Sequence, residues 1–149
     1  AIEEGKADIL GLYMVQKLRE KGEITEGELM DDYVTFLAGI FRSIRFGASS
    51  AHGRANMIRF NFFEQAGAFS RDPDDGTYRV EREAFEQAIR DLSNRILTLQ
   101  GEGDYAAVDA FVAEMGGISP LLQADIDRLA GAAIPVDIEF EMGAGVLGL

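Results

Sequence analysis

Residues 25–44 read TEGELMDDYVTFLAGIFRSI, and this stretch carries the widest apolar stripe of the chain. Large apolar side chains recur at three- and four-residue steps from Leu29 to Ile44, which is the spacing of one face of an α-helix. Thr25, followed three residues later by Glu28, has the pattern of a capping box, so we expect a helix to start here. Because the apolar stripe is so wide, we expect this helix to be largely buried.

Helical periodicity continues on both sides of this stretch. It predicts one helix before this stretch, over residues 2–21, and two after it, over residues 49–66 and 85–101, the last of which begins at Phe85. Asp104 and the pair Ser119-Pro120 are typical helix starts and predict two shorter helices. In the first helix, the apolar positions that recur at helical steps are Ile9, Leu10, Tyr13, Met14 and Leu18.

The clearest β signal is a turn between two short strand candidates. Residues 68–71 and 77–80 flank the turn sequence DPDDG, which predicts a hairpin. Near the C-terminus, Val136, Ile138 and Phe140 alternate with acids and predict an extended segment. The expected fold class is therefore mainly α: a helical, bundle-like unit over residues 1–149, with a small β-hairpin and an extended C-terminal segment.

Composition narrows the possible partners of the chain. The 149 residues are 47% hydrophobic and 27% charged, which is typical of a globular chain, and their net charge is −12. That charge argues against nucleic acid or an anionic membrane surface as a partner, since phosphate groups would be repelled. The chain contains no cysteine and no apolar stretch long enough to span a membrane. A cytoplasmic protein is the expectation.

Three familiar patterns of functional sites do not fit this sequence. A calcium loop starting at Asp72 would place Gly76 at the fifth position instead of the sixth, so a hairpin turn is favoured. The Gly-Glu-Gly at residues 101–103 lacks the third glycine and the lysine of a phosphate loop. A serine triad would have to use His52 with its near neighbours Ser49 and Ser50, which are better explained as a helix cap.

His52 is the only histidine, and it opens the third predicted helix. Asn56 and Arg59 follow four and seven residues later and share its helix face, whereas the other faces are strongly apolar. This polar stripe fits the lining of a cleft, and it fits a solvated helix face equally well.

Three acids stand at the start of the first predicted helix. Glu4 and Asp8 are four residues apart and share a face, while Glu3 points about 100° away. Acids in a first turn are favoured by the helix dipole, so they need no function. They could also supply one ligand of a catalytic zinc and the carboxylates that orient zinc-bound histidines. With a single histidine, however, this chain alone cannot build a hydrolytic zinc site.

The run EEGKADILGLY, residues 3–13, resembles the second zinc motif of the dipeptidyl peptidase III family of metallopeptidases, Glu-Glu-x-Arg/Lys-Ala-Glu/Asp followed by an apolar Gly-Leu-Tyr/Trp stretch. The segment AHGRAN at residues 51–56, which leads into EQAG at 64–67, resembles the family's helix that carries an active-site histidine. The sequence IPVDI at residues 134–138 resembles the end of bacterial and plant members, some of which carry a fused Nudix domain.

This resemblance implies a role for each candidate site residue. Glu4 would be the zinc ligand, and Glu3 and Asp8 would orient the two zinc-bound histidines. His52 would be the catalytic histidine that contacts the peptide carbonyl or the transition state. The family's arginine four residues after that histidine is Asn56 here, so Asn56 and Arg54 are the candidate substrate-binding residues.

The resemblance also implies what the chain needs from elsewhere. The His-Glu-x-x-(x)-His helix, with two zinc ligands and the general base, would lie upstream of Ala1. We therefore expect a C-terminal portion of a larger zinc peptidase, with zinc and a peptide substrate in the complete protein. We expect residues 1–149 to be inactive alone, without tightly bound zinc, and to have the missing N-terminal part as partner. Two alternatives stay open: a non-enzymatic acidic helical interaction module, and a catalytically degenerate homologue.

Overall fold

The computed structural model describes residues 1–135 and 142–148. Within these residues six α-helices accompany a two-stranded sheet, β1 (Phe69–Arg71) and β2 (Tyr78–Val80), which packs against the second and third helices. The α-helices are α1 (Ile2–Glu20), α2 (Leu29–Ile44), α3 (Ala51–Gln65), α4 (Arg82–Glu102), α5 (Tyr105–Met115) and α6 (Pro120–Gly131), and a 3-10 turn follows at Ala144–Leu147. No helix in this part of the chain is long and apolar enough to cross a membrane.

The mainly α fold class and the hairpin are confirmed. The strands pair antiparallel, with Phe69 opposite Val80, and the turn between them is held by Asp72 and Asp75 accepting backbone N–H groups. The caps predicted at Ser50, Asp104 and Ser119 are present, each side chain accepting a backbone N–H from its first turn. The extended segment predicted at residues 136–140 lies outside the described residues.

The predicted cap of α2 is wrong. The helix begins at Leu29, and its capping box is formed by Glu28 and Asp31, whose carboxylate accepts the Glu28 N–H at 3.0 Å. Gly27 explains the difference, because its φ of +67° is left-handed and cannot belong to a first helical turn that starts at Thr25.

The apolar faces of α1 and α2 are also narrower than expected. In α2 only Tyr33, Leu37, Ile40 and Ile44 are fully buried, and Val34 is 50% exposed. In α1 Met14 is exposed, and the buried positions are Ile2, Gly5, Ile9, Leu12 and Gln16. The helix starting near Phe85 in fact begins at Arg82 and ends at Glu102.

The core lies where α1, α2 and α4 meet α3. Buried aromatic rings join these helices: Phe63 of α3 lies 4.7 Å from Phe85 of α4, and Tyr33 of α2 lies 4.8 Å from the same ring, centroid to centroid. Ile9 brings α1 into this cluster and has no exposed surface. The packing places the start of α1 beside the start of α3.

Candidate functional site

The first turns of α1 and α3 bring two candidate site residues together. Glu4 Oε2 lies 3.4 Å from Nδ1 of His52, and both side chains are partly exposed, 41% and 74% respectively. Ser50 fixes the start of α3, since its hydroxyl accepts the Gly53 N–H at 3.0 Å. The acid and the histidine therefore sit on adjacent helix ends that open toward solvent.

One turn further along both helices, Asp8 faces Arg59. Their closest atoms, Asp8 Oδ2 and Arg59 Nη1, are 2.6 Å apart. Arg59 Nη2 donates to Asn56 Oδ1 at 2.5 Å, and Asn56 Nδ2 donates to the carbonyl of His52 at 3.0 Å. Glu4 faces His52 and, one turn later, Asp8 faces Arg59, so residue numbers increase in the same direction along both helices. The helices α1 and α3 therefore lie side by side and parallel here.

Arg59 is unusual because its charge is almost out of water. Its side chain is only 4% exposed, and burial lowers the pKa of its guanidinium while Asp8 acts in the opposite direction. The guanidinium lies 5.6 Å from the centroid of the Phe36 ring, and among the described residues its Nε and Nη1 have no partner with hydrogen-bond geometry, so the contact of Nη1 with Asp8 is an ion pair. The position of this charge is set by Asp8 and Asn56.

Glu3 is held separately from the other two acids. Its carboxylate lies 2.7 Å from Lys6 Nζ and accepts from Gln100 Nε2 of α4 at 2.6 Å. The hydrogen bond from Lys6, followed by that from Gln100, lowers the pKa of Glu3. Glu3 remains ionised and well exposed, so it can accept a further hydrogen bond.

A cavity of about 370 Å³ lies between α2 and the polar side chains of α1 and α3. Asp8, His52, Asn56 and Arg59 form its polar side, and Phe36, Gly39, Ile40 and Ser43 of α2 form the other. The polar stripe of α3 therefore lines a cleft, and its two later members, Asn56 and Arg59, are buried instead of solvated. Arg54 is exposed and is not among the residues that line this cavity.

The side chains of this site can supply one ligand to a zinc ion. Among the described residues, no three His, Cys, Asp or Glu side chains converge on a point that could hold a metal ion. Glu4 is the acid best suited to an external cation, since among the described residues the only basic side chain within 4 Å of its carboxylate is that of His52, at 3.4 Å, whereas Glu3 and Asp8 each hold a cationic side chain. Two more ligands would have to come from another part of a protein.

A larger groove, about 720 Å³, lies away from these acids between α2, β2 and α6. At its edge Asp125 accepts hydrogen bonds from Arg71 Nε at 2.7 Å and from the Tyr78 hydroxyl at 2.6 Å. This network joins α6 to the hairpin, and its contacts are those of a structural ion pair.

Sequence reasoning found the stripe of His52, Asn56 and Arg59 but assigned no role to Arg59. Helical spacing showed that the three share a face, and only tertiary packing shows that Asp8 meets that face. Gln100 was missed entirely, because it reaches Glu3 across 97 residues of sequence and no local pattern marks it.

Two solved structures resemble this chain closely. A dipeptidyl peptidase III from Caldithrix abyssi matches 92% of the chain with a TM-score of 0.84 and 41% sequence identity. A dipeptidyl-peptidase III from a Corallococcus strain matches 93% with a TM-score of 0.85 and 39% identity. The chain spans only 26% and 25% of those two proteins.

A curated plant protein, Nudix hydrolase 3 of Arabidopsis thaliana, is 40% identical over 138 residues. That match covers 93% of this chain but only 18% of the plant protein. Because nearly the same residues also match the two peptidase structures, the matching part of the plant protein is one that it shares with them. No protein-family model matches the chain.

Proposed function

We propose that this chain, which matches two dipeptidyl peptidase III structures over more than nine tenths of its length, is the C-terminal part of such a protein and forms one wall of its zinc peptidase active site. The observation that carries the proposal is the pairing of Glu4 with His52 at the open ends of α1 and α3. The two residues come from the two segments that resemble the family's motifs, although 48 residues separate them in sequence.

In this proposal the chain supplies one metal ligand and the groups around it. A bound zinc would supply Lewis acidity toward the carbonyl of a peptide substrate. Glu4 would hold the ion with one carboxylate, and Glu3 and Asp8 would accept the ring N–H groups of two histidines from the upstream part. His52, with its ring exposed beside Glu4, would donate a hydrogen bond to the oxygen of the carbonyl under attack. Arg54 stays the candidate for a peptide contact outside the cavity.

The test uses the complete protein that contains this chain, with bound zinc and released dipeptide as separate measurements. Glu4→Gln should lower zinc content and reduce dipeptide release. Loss of an outer partner of a metal ligand typically costs about 10- to 100-fold, and loss of the ligand itself should cost at least as much. His52→Ala should keep the zinc and lower kcat by about 100- to 1000-fold, as for other oxyanion donors. Glu114→Gln, which removes an exposed acid from α5, is the matched control and should change neither.

The isolated chain gives a second, independent check. With one candidate ligand in the described residues, it should bind zinc weakly and release no dipeptide. Submicromolar zinc binding by this chain that disappears in Glu4→Ala would contradict the idea that the site needs another part of the protein. A cytoplasmic location is part of the proposal and can be checked by cell fractionation.

One observation favours a second candidate function, a catalytically degenerate relative. Asn56 stands where the resemblance places an arginine, and both ends of its amide are already hydrogen-bonded within α3. A degenerate protein would bind zinc through Glu4 and release no dipeptide. An interaction module would neither bind zinc nor release dipeptide, so these two measurements separate all three possibilities.

A further inference from the structure

A buried arginine in the middle of an apolar helix needs an explanation. Arg59 lies between Ile58 and Phe60, which are both fully buried, and its own side chain is 4% exposed. Removing a guanidinium from water costs several kcal/mol in free energy, of which an ion pair returns only part, so an apolar side chain of similar volume would often be as stable here. Packing alone therefore does not account for Arg59.

The contacts of Arg59 form a continuous path between the two site helices. From α1, Asp8 pairs with one terminal nitrogen; the other donates to Asn56, and Asn56 donates to the backbone of His52. One turn earlier the two helices approach each other closely, since a Cβ built on Gly5 would lie 3.9 Å from the Ala55 Cβ. A close approach of small residues permits rotation and sliding, whereas the charge pair of Asp8 with Arg59 one turn away restricts both.

We propose that Arg59 and Asn56 are positioning residues: Arg59, held by Asn56, pairs with Asp8, fixes the rotation of α1 against α3 and thereby keeps Glu4 opposite His52. This inference rests on the proposed function for its consequence in catalysis. Asn56, at the place of the family's arginine, then fixes the geometry of the site without touching the substrate. Arg59 keeps the Asp8 carboxylate in place for the histidine that it would orient.

The first experiment measures geometry in the chain itself, by nuclear Overhauser effects between the His52 ring protons and the Glu4 γ protons. Arg59→Met keeps the side-chain volume and removes all the donors, so this signal should be lost. The signal between the Gly5 α protons and the Ala55 methyl group should persist, because the close approach of the two helices at Gly5 does not depend on Arg59. Arg54→Met, on an exposed position of the same helix, is the control and should keep both signals.

The second experiment measures catalysis in the complete protein. Arg59→Met should lower kcat about 10- to 100-fold, as loss of an outer partner of a metal ligand does, with KM unchanged. Arg59→Lys keeps the charge opposite Asp8 and should restore part of both kcat and the His52–Glu4 signal. Should Arg59→Met fail to fold, as judged by circular dichroism, Asn56→Ala breaks the same path and should lose the same signal.

Two results would overturn the positioning role. If the His52–Glu4 signal survives in both Arg59→Met and Asn56→Ala, Arg59 is an ordinary part of the core. A raised KM with unchanged kcat would instead make Arg59 a contact of the peptide itself. If the wild-type complete protein releases no dipeptide, the proposed function fails, and the signals in the isolated chain still decide whether the two residues fix the helices.

Discussion

Asp125 shows how one side chain can make stability depend on pH. Its side chain is 5% exposed, and the hydrogen bond from Arg71 lowers its pKa to about 2. Burial acts in the opposite direction, and the hydrogen bond from the Tyr78 hydroxyl adds a smaller lowering of the pKa. A depressed pKa means that the ionised form is favoured in the folded state. The resulting stabilisation, about 2 kcal/mol, is present above pH about 4 and is lost as the pH falls toward 2.

Asp125→Asn should therefore reduce the free energy of unfolding at pH 7 by about 2 to 3 kcal/mol, because charged hydrogen bonds to Arg71 and Tyr78 become neutral ones. Urea titrations between pH 2 and 7 measure this. The variant should show a smaller loss of stability below pH 4 than the wild type. Asp109→Asn, on an exposed residue of α5, is the control. Equal acid sensitivity in Asp125→Asn and wild type would contradict the assignment.

At the scale of a helix, Gly53 and Gly11 lead to opposite predictions for the same substitution. A Cβ at position 53 would lie 2.7 Å from both Ala48 Cα and Gly47 O, which are backbone atoms and cannot easily move. Gly53→Ala should destabilise the fold by about 1 to 3 kcal/mol through overpacking, and it should disturb His52 beside it. At Gly11, inside α1, nothing lies within 4 Å, so Gly11→Ala should stabilise by about 0.5 to 1 kcal/mol.

Thermal unfolding followed by circular dichroism tests both variants at once. A melting temperature that falls for Gly53→Ala and rises for Gly11→Ala is the expected result. If Gly53→Ala is neutral, the approach of residues 47–48 to the start of α3 is looser than the distances indicate. If Gly11→Ala destabilises, an unrecognised contact lies against that face of α1.

The elements themselves were largely predictable, because their signals are local. Ser50, Asp104 and Ser119 each cap a helix with a side chain that reaches its own first turn, and such contacts are written in a few consecutive residues. The cap at Thr25 failed for an equally local reason, the left-handed Gly27. Burial was less predictable: Met14 and Val34 fit an apolar stripe but are exposed, since neighbouring elements decide which part of a stripe is covered.

At the scale of the whole molecule, the candidate site could be predicted only in part. Spacing placed Glu4 and Asp8 on one face of α1, and placed His52, Asn56 and Arg59 on one face of α3. That these two faces meet was implied by family resemblance alone, since no rule of periodicity pairs residue 4 with residue 52. The contacts from Arg59 to Asp8 and from Gln100 to Glu3 depend on how whole helices pack, and they were not foreseen.

The packing around Phe63 also bears on whether residues 1–149 form one unit, which stays a prediction. Phe63 has no exposed surface, and its ring centroid lies 4.7 Å from that of Phe85 in α4 and 6.2 Å from that of Phe36 in α2. Removing this ring leaves a cavity among three helices at once. Phe63→Ala should therefore reduce the free energy of unfolding by about 3 to 5 kcal/mol.

If residues 1–149 form a single unit, the whole chain should also unfold in one transition. In urea, helix content by circular dichroism and the summed fluorescence of the four tyrosines, of which Tyr33 is fully buried, should change at the same midpoint, in the wild type and in Phe63→Ala. Leu97→Ala, at a half-exposed position of α4, is the control and should shift that midpoint little, by about 0.5 kcal/mol or less. Separate midpoints for the two probes would divide the chain into parts that unfold independently. Because Phe63 belongs to α3, which also carries His52, the site would then lie on the part of the chain that Phe63 stabilises.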